Sequence, residues 1–339
     1  MSTDRARTKS SNQIIGPDHR PDGSQVRSTT VNPPVNLMLI VNPSASSVTA
    51  RSRVLINKAL SADHQVTLCE TTRRGHATRL AQGAAAEGYD AVVVLGGDGT
   101  LNEAANGLAG SNTALATLPG GSTNVFARTL GLPDDPLDAT VVVLEALAEQ
   151  SIRKVGLGSV NGRYFLFHVG IGFDAAVVAD VESRGSLKRW ANHVLFGWSA
   201  FITWLRGYER RVARFGVRVD HSPTIDDGVF TVCLNTNPYS FVGTRPFNVD
   251  THASLDTALS IITVRSLDLI PTLALVGSAL GSGDALRRSR NVALHQNAHH
   301  AVVEGYGPFP HQVDGDYLGE VERLEITYEQ EILSLVIPR

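Results

Sequence analysis

The sequence predicts an α/β N-terminal region built on a parallel sheet, followed by a β-rich antiparallel region of sandwich type. Three observations carry this. From 36 to 110, apolar strand-like runs alternate with helical patterns, which implies parallel strands with helices on both faces. Small-residue turns follow the strands at Asn42, Thr72 and Gly96, at the carboxyl edge where ligands of such sheets bind. Near residue 150 the texture changes to short strands at 154–160, 163–169, 214–220, 230–235 and 259–264, separated by turns.

Taken in order, residues 1–34 are polar and read as a disordered tail. The run at 36–41 (NLMLIV) is a strand, which enters Asn42-Pro43-Ser44-Ala45-Ser46. A helix at 48–60 and a strand at 65–69 follow, then Thr72-Arg73-Arg74-Gly75 and a helix to about 88. The β-branched run 91–95 is a buried strand that Gly96-Gly97-Asp98-Gly99 cannot continue. Its glycines let the backbone approach a ligand closely. Thr100 and Glu103 fit a capping box that starts a helix through Asn102, with Leu101, Ala104, Ala105 and Leu108 as its apolar face. A strand at 114–118 ends in Pro119-Gly120-Gly121-Ser122-Thr123-Asn124 and a short helix stopped by Gly131 and Pro133. A helix at 136–150 closes the first domain, 35–150. The second covers 151–339, with the last strand a candidate to return to the first.

A strand, a glycine turn and a helix N-terminus together present free N–H groups and the positive end of a dipole, which suits phosphate. Asp98 in the middle of such a site repels phosphate unless a cation lies between, which points to Mg²⁺ near a nucleotide; the other reading is a tight turn with a surface Asp. A net charge of −3 makes no case for nucleic acid, and two cysteines make no disulfide framework, which fits a reducing cytoplasm. The N-terminus lacks the apolar core of a signal peptide, and no apolar run reaches membrane-spanning length. Residues 186–215 hold all three tryptophans and six basic residues against one acid; they read either as a membrane-interface segment or as a helix packed by its aromatic face. Residues 220–228 read as a loop and 271–283 as a helix too short to span a bilayer. His295, His299 and His300 lie in a strand-and-turn pattern rather than the helix a metal pair at that spacing needs.

GGDGTLNE resembles the nucleotide loop of the diacylglycerol kinase / sphingosine kinase superfamily, and the GGDG part is shared with NAD kinases and phosphofructokinases. The resemblance implies an NAD kinase/phosphofructokinase-like fold for the first domain. PGGSTN-x-FAR is similar to a lipid kinase motif that NAD kinases lack, and Val313-Asp314-Gly315-Asp316 to the family's Val-Asp-Gly-Glu. These matches imply an ATP- and Mg²⁺-dependent lipid kinase acting on a primary hydroxyl, with diacylglycerol the leading acceptor. Asp314 is the implied general base, the alternative being a plain Asp-Gly hairpin turn. Asp98 is implied beside the Mg²⁺–phosphate assembly. Asn42, Pro43, Ser44, Ser46, Thr72, Gly96, Gly97, Gly99, Thr100, Asn102, Glu103, Gly121, Ser122, Asn124 and Asp316 line the implied nucleotide site. Asp256 matches the aspartate of a structural Mg²⁺ site, and Phe173-Asp174-Ala175 a helix-opening turn. Val125, Thr257 and Asp316 depart from the usual Asp, Gly and Glu. The implied setting is a cytoplasmic protein, a monomer or homodimer, meeting its lipid at the membrane surface. A long-chain-base kinase, an NAD kinase-like enzyme and a non-catalytic nucleotide- or lipid-binding regulator are the alternatives.

Overall fold

The structure, a computed structural model, describes residues 34–173, 175–178 and 212–338. The tail, the turn at Asp174 and nearly all of the aromatic-basic segment at 186–215 lie outside the described residues.

The N-terminal region is α/β. Strands β1 (Asn36–Val41), β2 (Gln65–Glu70), β3 (Ala91–Gly96) and β4 (Ala114–Pro119) are parallel in the order β4-β3-β1-β2. β3 and β4 are buried along their whole length and β1 along all but its first residue, because helices cover both faces. Alternate residues serve the two faces. Met38, Ile40, Val92 and Val94 pack on α2 (His76–Ala86) and α3 (Asp98–Leu108). Leu37, Leu39 and Val93 pack on α1 (Ala50–Asp63) and α5 (Pro136–Ala148). The short α4 (Val125–Thr129) follows the second glycine turn. At about 25 cal/mol per Å² of apolar surface removed from water, this two-sided burial is the main force holding the layers together.

From Ile152 onward the chain is mostly antiparallel β. β5 (Ile152–Val160) and β6 (Arg163–Phe165) form a hairpin, and β7 (His168–Gly172) pairs with both β10 (Phe230–Leu234) and β15 (His300–Val313). β8 (Phe215–Val219) pairs with β9 (Ile225–Gly228), so the expected loop at 220–228 contains a strand. Its two central acids face solvent and resemble loop, while Ile225 and Gly228 are buried. β11 (Ser240–Val242) and β12 (Arg245–Phe247) form a separate hairpin; β13 (Leu259–Val264) and β14 (Val292–Ala298) extend the main sheet. Helices α6 (Leu269–Ala279) and α7 (Asp284–Arg288) lie between them. β16 (Asp316–Val336) is the longest strand. It leaves the Asp314-Gly315 turn, pairs with β15 and β5, and ends parallel to β4 at Leu335 and Leu115. One sheet therefore runs through both regions. No helix among the described residues is long and apolar enough to cross a membrane.

Candidate active site

The loops at the carboxyl ends of β1, β3 and β4 interlock. The Gly120 N–H donates to the Gly96 carbonyl at 2.8 Å, and a Cβ at Gly120 would lie 2.8 Å from the Gly96 nitrogen. A Cβ at Gly121 would lie 2.8 Å from the Gly97 Cα. The two glycine turns thus stack backbone on backbone, a distance at which no side chain fits. The β1 loop closes over them: Ser47 donates through its N–H to the Gly120 carbonyl and through Oγ to the Gly121 carbonyl. Asn42 Nδ2 donates to Thr100 Oγ1 at 2.9 Å, and Asn42 Oδ1 accepts from the Ser44 N–H. Pro43, Ser44, Ser46, Thr72 and Ser122 are exposed around this core.

The helix after the glycine turn starts at Asp98, three residues earlier than a Thr100 cap would place it, with Gly97 as its N-cap and no N-cap side chain bonding to it. The expected capping box of Thr100 and Glu103 does not form. Thr100 is engaged by Asn42, and Glu103 turns to the neighbouring helix, where it accepts from the Gly75 N–H at 2.7 Å and the Ala77 N–H at 3.2 Å. Glu103 therefore caps α2 rather than α3. Asp98 accepts from the Val125 and Phe126 N–H groups at 3.0 and 3.2 Å, which caps α4. Burial pushes its carboxyl above the usual range, and these donors oppose the rise. Asn124, with φ +47°, closes the turn by exchanging two hydrogen bonds with Gly121.

Asp314 sits in the hairpin turn between β15 and β16, and only 6% of it is exposed. Its carboxylate accepts four hydrogen bonds: Leu166 N–H at 2.7 Å, Asn102 Nδ2 at 2.8 Å, and Phe167 and His168 N–H at 3.0 Å each. Burial nevertheless dominates and pushes the carboxyl up to about 6. The Asp-Gly hairpin turn that the sequence offers as one reading is formed. Asn102 is set by Arg163, whose Nη2 donates to Asn102 Oδ1 at 3.0 Å and so leaves the amide NH₂ to face Asp314 and the Tyr164 carbonyl. Asp316 lies over the first turn of α3, near Gly99, between Arg74 at 2.8 Å and Arg163 at 3.2 Å. A glycine-built helix start beside two guanidinium groups fits a polyphosphate.

Sequence reasoning missed Arg163 and His168. Arg163 is a lone arginine after an Asn-Gly turn, and only the fold brings it to Asn102. His168 is buried, its ring 4.1 Å from that of Tyr239, and burial holds its pKa down at about 3. Its Nδ1, Asn235 Oδ1 and Thr236 Oγ1 are buried without a hydrogen-bond partner, all at the junction that binds Asp314. Asp256 faces Arg153 and its side chain is 70% exposed. A guanidinium partner disfavours a divalent cation there. No group of three or more His, Cys, Asp or Glu able to hold a metal occurs among the described residues.

Comparison with known proteins adds to this geometry. The diacylglycerol kinase catalytic domain pattern matches residues 36–160. A diacylglycerol kinase of Bacillus subtilis is 35% identical over 151 residues, 43% of this chain and about half (48%) of that protein's length. A diacylglycerol kinase of Staphylococcus carnosus is 25% identical over 87% of this chain and 92% of its own. A protein of Pseudomonas aeruginosa described as a probable YegS-like lipid kinase is 30% identical over 61% of this chain and 74% of its own. The crystal structure of a diacylglycerol kinase from Bacillus anthracis superposes with a TM-score of 0.62, at 21% identity, over 89% of this chain and 96% of that one.

Proposed function

The chain belongs to the diacylglycerol kinase catalytic domain family and is a lipid kinase, and on that premise we propose that it transfers the γ-phosphoryl group of ATP to the primary hydroxyl of diacylglycerol, giving phosphatidic acid. The observation that carries this reading is the double use of α3. Its N-terminus forms the phosphate cradle with Gly96, Gly97, Gly99 and Gly121, and Asn102, one turn on, donates to Asp314. At 1.5 Å rise per residue, the start of α3 and Asn102 are about 6 Å apart along the helix axis. Phosphoryl transfer needs little else: a cradle, a cation, and a base at the acceptor hydroxyl.

In this mechanism Asp314 accepts the proton of the acceptor hydroxyl as its oxygen approaches phosphorus. Three of the four donors to Asp314 are backbone N–H groups and hold it in place. The fourth, Asn102, is a side chain that also has the Tyr164 carbonyl to bond, and it yields its place to the hydroxyl. A carboxyl near pH 6 is ionised at neutral pH yet basic enough to take the proton. Arg74 and Arg163 supply positive charge beside the transferred group, and Asp316 positions both. Asn42, Thr72 and Ser122 line the nucleotide side. Mg²⁺, when bound with the nucleotide near Asp98, neutralises charge on the phosphates.

The test is label transfer from γ-labelled ATP to diacylglycerol, monoacylglycerol, ceramide, sphingosine and NAD offered separately in mixed micelles. The expected product is labelled phosphatidic acid at the highest kcat/KM. Preference for sphingosine would keep the mechanism and replace the acceptor; label on NAD would overturn the reading.

A further inference from the structure

Helix α6 has an unusual surface. Its sequence, LIPTLALVGSA, is almost wholly apolar, yet only Ala279 is buried, and Leu275 packs toward Val229, Val264 and Leu267. Ile270 is 80% and Leu273 62% exposed, and Leu269, Val276 and the C-cap Leu280 are exposed with them. At 3.6 residues per turn, Leu269, Leu273, Val276 and Leu280 fall within about 60° of one another, so they form one stripe with Ile270 at its margin. A contiguous apolar face of this kind marks an interaction site rather than ordinary surface.

Charge beside the stripe identifies the occupant. From 268 to 291 the chain carries Arg287, Arg288 and Arg290 against Asp268 and Asp284. Arg287 is held by the buried Asp250 at 2.9 Å. Arg288 and Arg290 are exposed and make no ion pair among the described residues. Arg288 lines a groove of about 570 Å³ along the small-residue side of α6, with Gly277, Gly281, Ser282 and Ser289. An apolar stripe with an arginine flank matches the boundary between acyl chains and anionic head groups. In a two-fold contact with a second copy, the same patch would meet itself and bring its arginines together.

We infer that α6, with Arg288 and Arg290, is the surface by which the protein docks on an anionic phospholipid bilayer, the stripe entering the acyl boundary and the arginines meeting lipid phosphates. The inference rests on the lipid kinase reading in one respect, that the acceptor resides in a bilayer. It is a different stretch of the chain from the aromatic-basic segment at 186–215. The fold also links it to the site. The Asn248 N–H donates to the Ala279 carbonyl and Asn248 Nδ2 to the Gly281 carbonyl, while Asn248 Oδ1 accepts from Asn237 Nδ2. Two residues before Asn237, the Asn235 N–H donates to the Phe167 carbonyl, and the Phe167 N–H donates to Asp314. The docked helix and the base thus lie at two ends of one bonded path.

The experiment is co-sedimentation with vesicles of phosphatidylglycerol or phosphatidylcholine, without nucleotide or diacylglycerol, so that binding is read apart from catalysis. The full chain is expected to prefer phosphatidylglycerol. Leu273→Asp should weaken vesicle binding about tenfold or more, and Arg288→Glu should abolish the preference between lipids. Both variants should keep the wild-type melting temperature, since both positions are exposed, and wild-type turnover on short-chain diacylglycerol in detergent micelles. Vesicle binding unchanged in Leu273→Asp would overturn the inference. So would a dimer, measured by analytical ultracentrifugation, that Leu273→Asp dissociates while vesicle binding persists. Absent micelle turnover in the wild type would count against the acceptor reading and leave the docking result standing.

Discussion

Asp314 and His168 are both buried and joined by hydrogen bonds, and their protonation pulls stability in opposite directions. Asp314 is raised to about 6, above the unfolded value of about 3.9. The fold therefore binds a proton that the unfolded chain does not between those values, and this contribution is lost as pH rises through 6. His168 is lowered to about 3, below its unfolded value of about 6.5, so stability falls as pH drops below 6.5. Each effect amounts to about 1.4 kcal/mol per pH unit within its window, and they offset one another between about 4 and 6. His168→Phe keeps the stacking on Tyr239 and removes the unpaired Nδ1. Thermal melts at pH 6.5 and 4.5 should show this variant gaining stability relative to wild type on acidification; equal shifts in both proteins would refute the assignment. Kinetically, the acid limb of kcat/KM, which reports the free enzyme, should lie near pH 6. Asn102→Ala removes a hydrogen bond that lowers the Asp314 pKa, so the limb should move upward. A limb that stays in place in Asn102→Ala would remove Asp314 from its role.

At the scale of elements, the site is held by turns that share backbone rather than by side chains alone. Gly120→Ala places a methyl 2.8 Å from the Gly96 nitrogen and 2.9 Å from its Cα, and backbone cannot yield cheaply. We expect a loss of about 1–3 kcal/mol in urea unfolding, together with weaker nucleotide binding. Glu103→Ala removes both caps of α2 and should cost about 1 kcal/mol. The glycine turns were legible because uninterrupted apolar strands such as Ala91–Gly96 end abruptly in glycine, a local signal. The capping of α3 differs from the expectation because Thr-x-x-Glu is also a local signal, whereas Glu103 is recruited by the start of α2, 28 and 26 residues earlier in the chain. Arg163 left no trace in sequence, since its partners Asn102 and Asp316 come from a different helix and strand.

Over the whole molecule, β16 joins the two regions. It starts at the Asp314 turn and ends with Leu333 and Leu335 buried in the core under α2 and α3. Leu335→Ala should cost about 2–5 kcal/mol, measured by denaturant unfolding, and lower activity through the hairpin that carries Asp314. A loss confined to the C-terminal strands, seen by hydrogen exchange, would argue that the regions are not coupled. The antiparallel half was legible as a class from its short runs at regular spacing. Its pairing was not, because β15 and β16 choose partners such as β7, β8, β5 and β4 by long-range packing. The central claim is that this hairpin delivers the base to a phosphate cradle built by the other region. The direct measurement is transfer from γ-labelled ATP to diacylglycerol by wild type and Asp314→Asn, with nucleotide affinity and fold checked in both. The account predicts labelled phosphatidic acid from wild type and a loss of about 10²–10⁴ in kcat for the variant, with nucleotide affinity retained. A folded Asp314→Asn that turns over at the wild-type rate would contradict it.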